Sequence, residues 1–204
     1  MIKLHGDKKE ALRYLGYKGQ NITPEMENQI DLTLKEGLSL AVPSSVYLVF
    51  DTEKTEDGIR LKDTELILSG ENINSFLSGA EKCAVMAVTI GHKIDSAIGR
   101  YERTGKITNA LLLDCVATAL VEELADKVNS EIEQKAQKEG FYCKHRFSPG
   151  YGDFPLETQK RIIPLLSCEK RIGVTLNDAC LMSPRKSVTA VIGFFKKEGE
   201  KNDK

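Results

Sequence analysis

No run in this 204-residue chain approaches the ~20 consecutive apolar residues that a bilayer-spanning helix requires. The opening segment, Met1-Ile2-Lys3-Leu4-His5-Gly6-Asp7, turns charged at once and lacks the apolar core of a secretory signal. An excess of either charge is missing too: 29 Lys and Arg stand against 30 Asp and Glu, a net charge of -1. No global basic field exists to recruit nucleic acid or an anionic membrane. Cysteine occurs at Cys83, Cys115, Cys143, Cys168 and Cys180, an odd set with no C-x-x-C pair. That argues against a disulfide framework and against a zinc cluster, and leaves reduced, mostly buried thiols. Cys143 and His145 could donate two metal ligands, but no second pair answers them, so no metal site is expected. These absences place the chain in the cytoplasm, with no membrane and no nucleic acid among its partners.

What is present reads as one globular domain over residues 1–195, with a charged and disordered tail at 196–204. Lys8 to Leu15 reads as a short helix. A second starts at Thr23-Pro24-Glu25, with an N-cap threonine and proline in the first helical position, and runs to about Ala41. Strand-like segments follow at 45–50 and 65–68, separated by a Gly58 turn, and 71–77 allows one or two helical turns. The apolar run from Cys83 to Ile90 suits a strand buried on both faces. A helix from His92 to Arg103 ends before Gly105, and the longest element covers about 106–139. Its apolar stripe is Leu113, Ala117, Leu120, Leu124 and Val128, with Glu123 and Lys127 as an i,i+4 pair outside it. A strand is expected at 141–147, a helix from Pro155 that stops or kinks near Ile163 ahead of Pro164, a short helix closed by Gly173, and a last strand at 187–195. Irregular alternation of strands and helices favours an α+β fold with a largely antiparallel sheet.

The segment Cys143 to Gln159, CKHRFSPGYGDFPLETQ, concentrates backbone constraints between a strand and a helix. It is no phosphate cradle. Pro155 replaces the third glycine of G-x-G-x-x-G, no G-K-[ST] follows, and Pro149 and Pro155 remove amide donors. Arg146 is a rigid, permanently charged fork that matches a carboxylate. Tyr151, five residues on and beyond a Pro-Gly turn, could cover a planar or cationic group. An arginine paired with a core-edge acid and a tyrosine capping the sheet would leave the same spacing.

The run Arg146-Phe-Ser-Pro-Gly150-Tyr151 is followed by Pro155, Thr158, Gln159-Lys160 and Leu165-Leu166. Glu169-Lys170-x-Ile172-Gly173-x-x-Leu176 and Met182-x-Pro184-x-x-Ser187-Val188 then follow in order. This series resembles the activation domain of cobalamin-dependent methionine synthase in stand-alone form; residues 1–105 match only loosely. The resemblance implies a twisted antiparallel sheet with flanking helices, and binding of S-adenosylmethionine. It implies reductive methylation, in which an electron and a methyl group restore methylcobalamin from the Co(II) state. The family's arginine and tyrosine carry over to Arg146, for the methionyl carboxylate, and to Tyr151, facing the sulfonium or the cobalt. Gly150 carries over as the backbone position that brings the loop close. An upstream acid and an aromatic hairpin of the family pattern have no counterpart here, while Lys186 and Ser187 match a family strand and equally suit a sheet edge.

Corrinoid-binding domains carry D-x-H-x-x-G, whereas the residues two before His5, His92 and His145 are Lys3, Ile90 and Cys143. The chain is therefore expected to work on cobalamin supplied in trans by a corrinoid-binding methyltransferase, with electrons from a flavodoxin- or ferredoxin-like donor. An interaction module that caps a corrinoid protein without using S-adenosylmethionine is the alternative. An unrelated small-ligand binder on the same fold is a third.

Overall fold

A computed structural model describes residues 2–196, so all of the expected tail except Lys196 lies outside the described residues. In chain order the elements are α1 (Lys8–Tyr14), α2 (Pro24–Leu40), β1 (Ser44–Thr55), β2 (Gly58–Leu61), β3 (Ile67–Leu68), α3 (Glu71–Phe76), β4 (Lys82–Thr89) and α4 (His92–Arg103). They continue with α5 (Ile107–Lys138), β5 (Phe141–Cys143), a 3-10 turn (Leu156–Thr158), α6 (Gln159–Leu165), α7 (Cys168–Ile172), β6 (Thr175–Leu176), β7 (Met182–Ser183) and β8 (Ser187–Lys196). Six strands form one sheet in the order β3-β2-β1-β4-β8-β5, and β6 and β7 form a separate antiparallel ribbon. The fold is α+β, with an antiparallel sheet and one long helix. No helix among the described residues is long and apolar enough to cross a membrane.

Local chemistry accounts for the helix starts. Asp7 accepts the N–H of Lys9 at 2.7 Å, and Thr23 accepts that of Met26 at 3.3 Å with Pro24 opening α2. Three expectations need correction. Gly58, read as a turn, opens β2, and the strand expected at 65–68 shrinks to Ile67–Leu68. The Leu61 N–H bonds the Leu66 carbonyl at 3.0 Å, so Lys62–Glu65 serve as the connection. The helix before Pro164 does not stop at Ile163: α6 runs to Leu165 with Pro164 inside its last turn. In so short a helix the missing N–H forfeits only one bond, and Leu166 still donates to Ile162 at 3.0 Å.

Contacts gather into two compact units. The first comprises the chain up to Val46, Val88–Lys127 and Ser167–Val188. In it α2 meets α5 at Gly37, where a Cβ would lie 2.6 Å from Val116 Cγ1 and 3.4 Å from Leu120 Cδ1. Leu113, Ala117, Leu120 and Leu124, the expected stripe, are fully buried. Val42 donates to Ile90 at 2.8 Å and Ile90 to Lys186 at 3.2 Å.

The second unit comprises Tyr47–Ala87, Val128–Leu166 and the chain from Thr189. Thr52 donates to Glu81 at 3.0 Å and Glu81 to Phe194 at 2.9 Å. Val128, Ile132 and Ala136 of α5 are buried, and Phe141 packs on Phe194 with ring centroids 6.1 Å apart.

In the first unit Glu123 does more than pair with Lys127 at 3.3 Å. Its carboxylate accepts the backbone N–H groups of His5 and Gly6, each at 2.9 Å, and so ties the N-terminal segment to α5. Burial opposes ionisation, but the Gly6 and His5 donors and the Lys127 ammonium outweigh it and hold the carboxyl below its ordinary range. A depressed folded-state value means that this stabilisation is present above the unfolded carboxylate range and is lost as pH falls through the folded value. Glu123→Ala should cost roughly 1–2 kcal/mol at neutral pH, since two backbone donors lose a charged acceptor. Urea melts should show the gap between variant and wild type closing in acid. A gap independent of pH would contradict this role.

Candidate functional site

The strand expected at 141–147 is only partly formed. β5 pairs with β8 through Phe141↔Lys196, Tyr142↔Phe195 and Cys143↔Phe194, and the ladder touches again at Phe147↔Val191. Between Cys143 and Phe147 the outer segment advances four residues, while β8 advances three from Phe194 to Val191. One extra residue is therefore absorbed at Lys144–Arg146 as a bulge, a feature that re-aims side chains at sheet edges. Strict alternation fails there because Phe147 must regain its place: its N–H and carbonyl bond Val191 at 2.9 and 2.8 Å. Arg146 sits within the bulge, half-buried. Lys144 places its ammonium 4.3 Å from the Phe195 ring centroid, and Tyr142 stacks on the same ring at 5.4 Å.

Beyond Phe147 the chain turns at once. The Tyr151 N–H reaches the Ser148 carbonyl at 3.2 Å, with Pro149 and Gly150 in the central positions and Gly150 at φ 93°. Proline followed by a residue of positive φ is the type II signature. A second closure follows, Phe154 donating to Tyr151 at 3.0 Å and Gly150 to Phe154 at 2.8 Å. Phe154 is 1% exposed and anchors the loop, whereas Tyr151 is 69% exposed. The turn folds the tyrosine ring back edge-on to Phe147, the neighbour of Arg146, at 6.5 Å. Phe147 in turn contacts Phe154 at 6.1 Å and Phe76 at 5.1 Å. Gly150 and Tyr151 thus share one tightly closed turn with an apolar floor and an exposed aromatic rim, and Arg146 lies just before it in the bulge.

Asp153 was not singled out from the sequence. Its carboxylate accepts the N–H groups of Glu71 at 2.5 Å and Asn72 at 3.0 Å, capping α3 from a distant part of the chain. The available signal was Gly70, which precedes a helix without offering it a side-chain cap. Lys186 and Ser187 are engaged within the first unit. The Lys186 ammonium meets Asp114 and Thr118 Oγ1, each at 2.9 Å, and Ser187 Oγ donates to the Pro184 carbonyl at 2.7 Å and lies 2.9 Å from Thr89 Oγ1. Burial pushes the Cys83 thiol up to about 12 and those of Cys143 and Cys168 to about 11, which keeps them protonated at neutral pH. Among the described residues no three His, Cys, Asp or Glu side chains come together as a metal site.

This architecture matches a solved one. The crystal structure of the MetH reactivation domain bound to AdoHcy superposes with a TM-score of 0.70 at 18% identity, covering 95% of this chain and 77% of that one. At such identity the likeness defines the class of fold, that of a reactivation domain. The sequence settles the family: residues 62–199 match the family described as vitamin B12 dependent methionine synthase, activation domain, and the chain belongs to it. The matched span contains the bulge, the turn and Asp153.

Gly150 tests the turn. A Cβ there would meet only Leu156 Cδ1, at 3.3 Å, so substitution is penalised mainly by the backbone conformation. Gly150→Ala should destabilise the loop by about 1 kcal/mol, and Gly150→Asn by less, because asparagine tolerates positive φ. Limited proteolysis of the loop should rank wild type, Asn and Ala in that order. Equal cleavage of all three would exclude a strained turn.

Proposed function

We propose that this chain, acting as a single activation-type domain over residues 1–195, presents S-adenosylmethionine to a corrinoid held by a partner methyltransferase and supports its reductive methylation. One observation carries the reading: the span that matches the activation-domain family includes a bulge that holds the half-buried Arg146 and, just beyond it, a closed turn with the exposed Tyr151. That a solved structure of the same fold was obtained with AdoHcy, the demethylated form of the donor, supports it further.

The residues suit the donor. Arg146 supplies a planar fork for the methionyl carboxylate, which a point charge would hold less firmly. Tyr151 supplies an aromatic face for the sulfonium side, pre-placed by the Pro149-Gly150 turn, and Gly150 lets the backbone approach closely. The cobalamin belongs to the partner and contributes the nucleophilic metal. Reduced by one electron, that metal would take the methyl group from the sulfonium, which Arg146 and Tyr151 would hold toward it, and would leave S-adenosylhomocysteine. The electron comes from a flavodoxin- or ferredoxin-like protein. What the chain contributes is orientation and an exposed rim for the corrinoid protein.

Arg146→Ala should weaken S-adenosylmethionine binding by on the order of 1.5–3 kcal/mol in calorimetry, with Arg146→Lys restoring little. Unchanged affinity in both variants would remove Arg146 from the site.

Tyr151→Phe should bind the donor almost normally, because the ring supplies most of the contact, yet slow methylation of partner-bound cob(II)alamin followed by its visible spectrum. An unchanged rate would take the hydroxyl out of the mechanism. No methylation by wild type with any cognate corrinoid protein would leave an interaction module that caps the partner.

A further inference from the structure

The loop that carries Tyr151 is fastened to one short helix. α3 begins behind Gly70, so its first amides have no local side-chain acceptor. Asp153 supplies two of the missing acceptors, Oδ2 to Glu71 and Oδ1 to Asn72. Two glycines make that approach possible. A Cβ on Gly70 would lie 2.8 Å from the Asp153 carbonyl oxygen, and one on Gly152 would lie 2.6 Å from Asn72 Nδ2. Both adopt positive φ, at 124° and 56°. The Asn72 and Glu71 donors also hold the Asp153 carboxyl below its ordinary range, so the cap is charged at neutral pH.

The opposite end of α3 grips the same loop. Phe76, its last residue, packs on Phe147 at 5.1 Å, and the Lys144 ammonium reaches the Phe76 carbonyl at 3.5 Å. Asp153 lies two residues after Tyr151 inside the closed Gly150–Phe154 turn. Fixing Asp153 therefore fixes the side of the loop that the bulge and Phe147 do not reach.

We propose that Asp153, seated between Gly70 and Gly152, is a latch that holds the Arg146–Tyr151 loop on α3 in the arrangement that receives the methyl donor. It is a positioning residue and touches neither donor nor corrinoid. The proposal rests on the reading of this loop as the S-adenosylmethionine site.

The test exploits a gap in composition: the chain has no tryptophan, so Tyr151→Trp installs a single indole on the loop. In that background Asp153→Ala should raise acrylamide quenching about twofold and lower the indole anisotropy, as expected of a segment released into local motion. With Tyr151 in place, Asp153→Ala should weaken S-adenosylmethionine binding about tenfold through misplacement alone. Asp153→Asn, isosteric and retaining Oδ1, should recover part of both effects and serves if the alanine variant folds poorly. Gly152→Ala, which leaves the carboxylate but crowds Asn72, should loosen the indole as Asp153→Ala does.

An indole unmoved by Asp153→Ala would overturn the latch. Weakened binding with an unmoved indole would also overturn it, because Asp153 would then be touching the donor. A loosened indole in a protein whose wild type binds no S-adenosylmethionine would keep the latch and reject the ligand reading.

Discussion

β8 is buried along almost its whole length, and its register is the constraint on which the candidate site depends. A strand in that position cannot slip easily, since side chains buried on both of its faces are packed against fixed neighbours at each position. The segment pairing with it on the outer side carries one residue too many between Cys143 and Phe147. The surplus has to leave the ladder, and it leaves at Lys144–Arg146. An arginine is thus presented from a sheet edge by misfit rather than by a dedicated element. Phe147 resumes the pairing and, with Phe76 and Phe154, gives the loop its apolar floor.

From that floor the chain has little freedom. Pro149 sets one dihedral, Gly150 adopts the one that other residues resist, and buried Phe154 returns the chain. The tyrosine left at the apex is exposed, while Phe154 on the returning arm is buried. The tyrosine ring meets the edge of Phe147 and is 69% exposed, so a large aromatic surface remains for a ligand or partner. Other reactive-looking groups are already spent: burial keeps three of the thiols protonated, and Lys186 is neutralised by Asp114.

Much of this was legible beforehand, for identifiable reasons. α2, α4 and α5 announce themselves by an N-cap, a following glycine or a long apolar stripe, signals that lie within one element. β4 is legible because a strand buried on both faces reads as one apolar run. The loop could be located from its Gly and Pro content, and its resemblance to a family drew attention to Arg146, Gly150 and Tyr151. The bulge was not legible, because it results from a mismatch between two segments far apart in the chain. The same holds for Asp153, whose partners at Glu71 and Asn72 are more than eighty positions away. β2 was missed because its pairing, not its composition, makes it a strand.

The account stands or falls on whether this chain delivers a methyl group. Methyl-labelled S-adenosylmethionine, a reductant and a cognate corrinoid protein in the cob(II)alamin state should be incubated with and without it. The label should enter the protein-bound corrinoid only when the chain is present, in amounts matching the S-adenosylhomocysteine released. Equal labelling with and without the chain, or none in either case, would contradict the assignment.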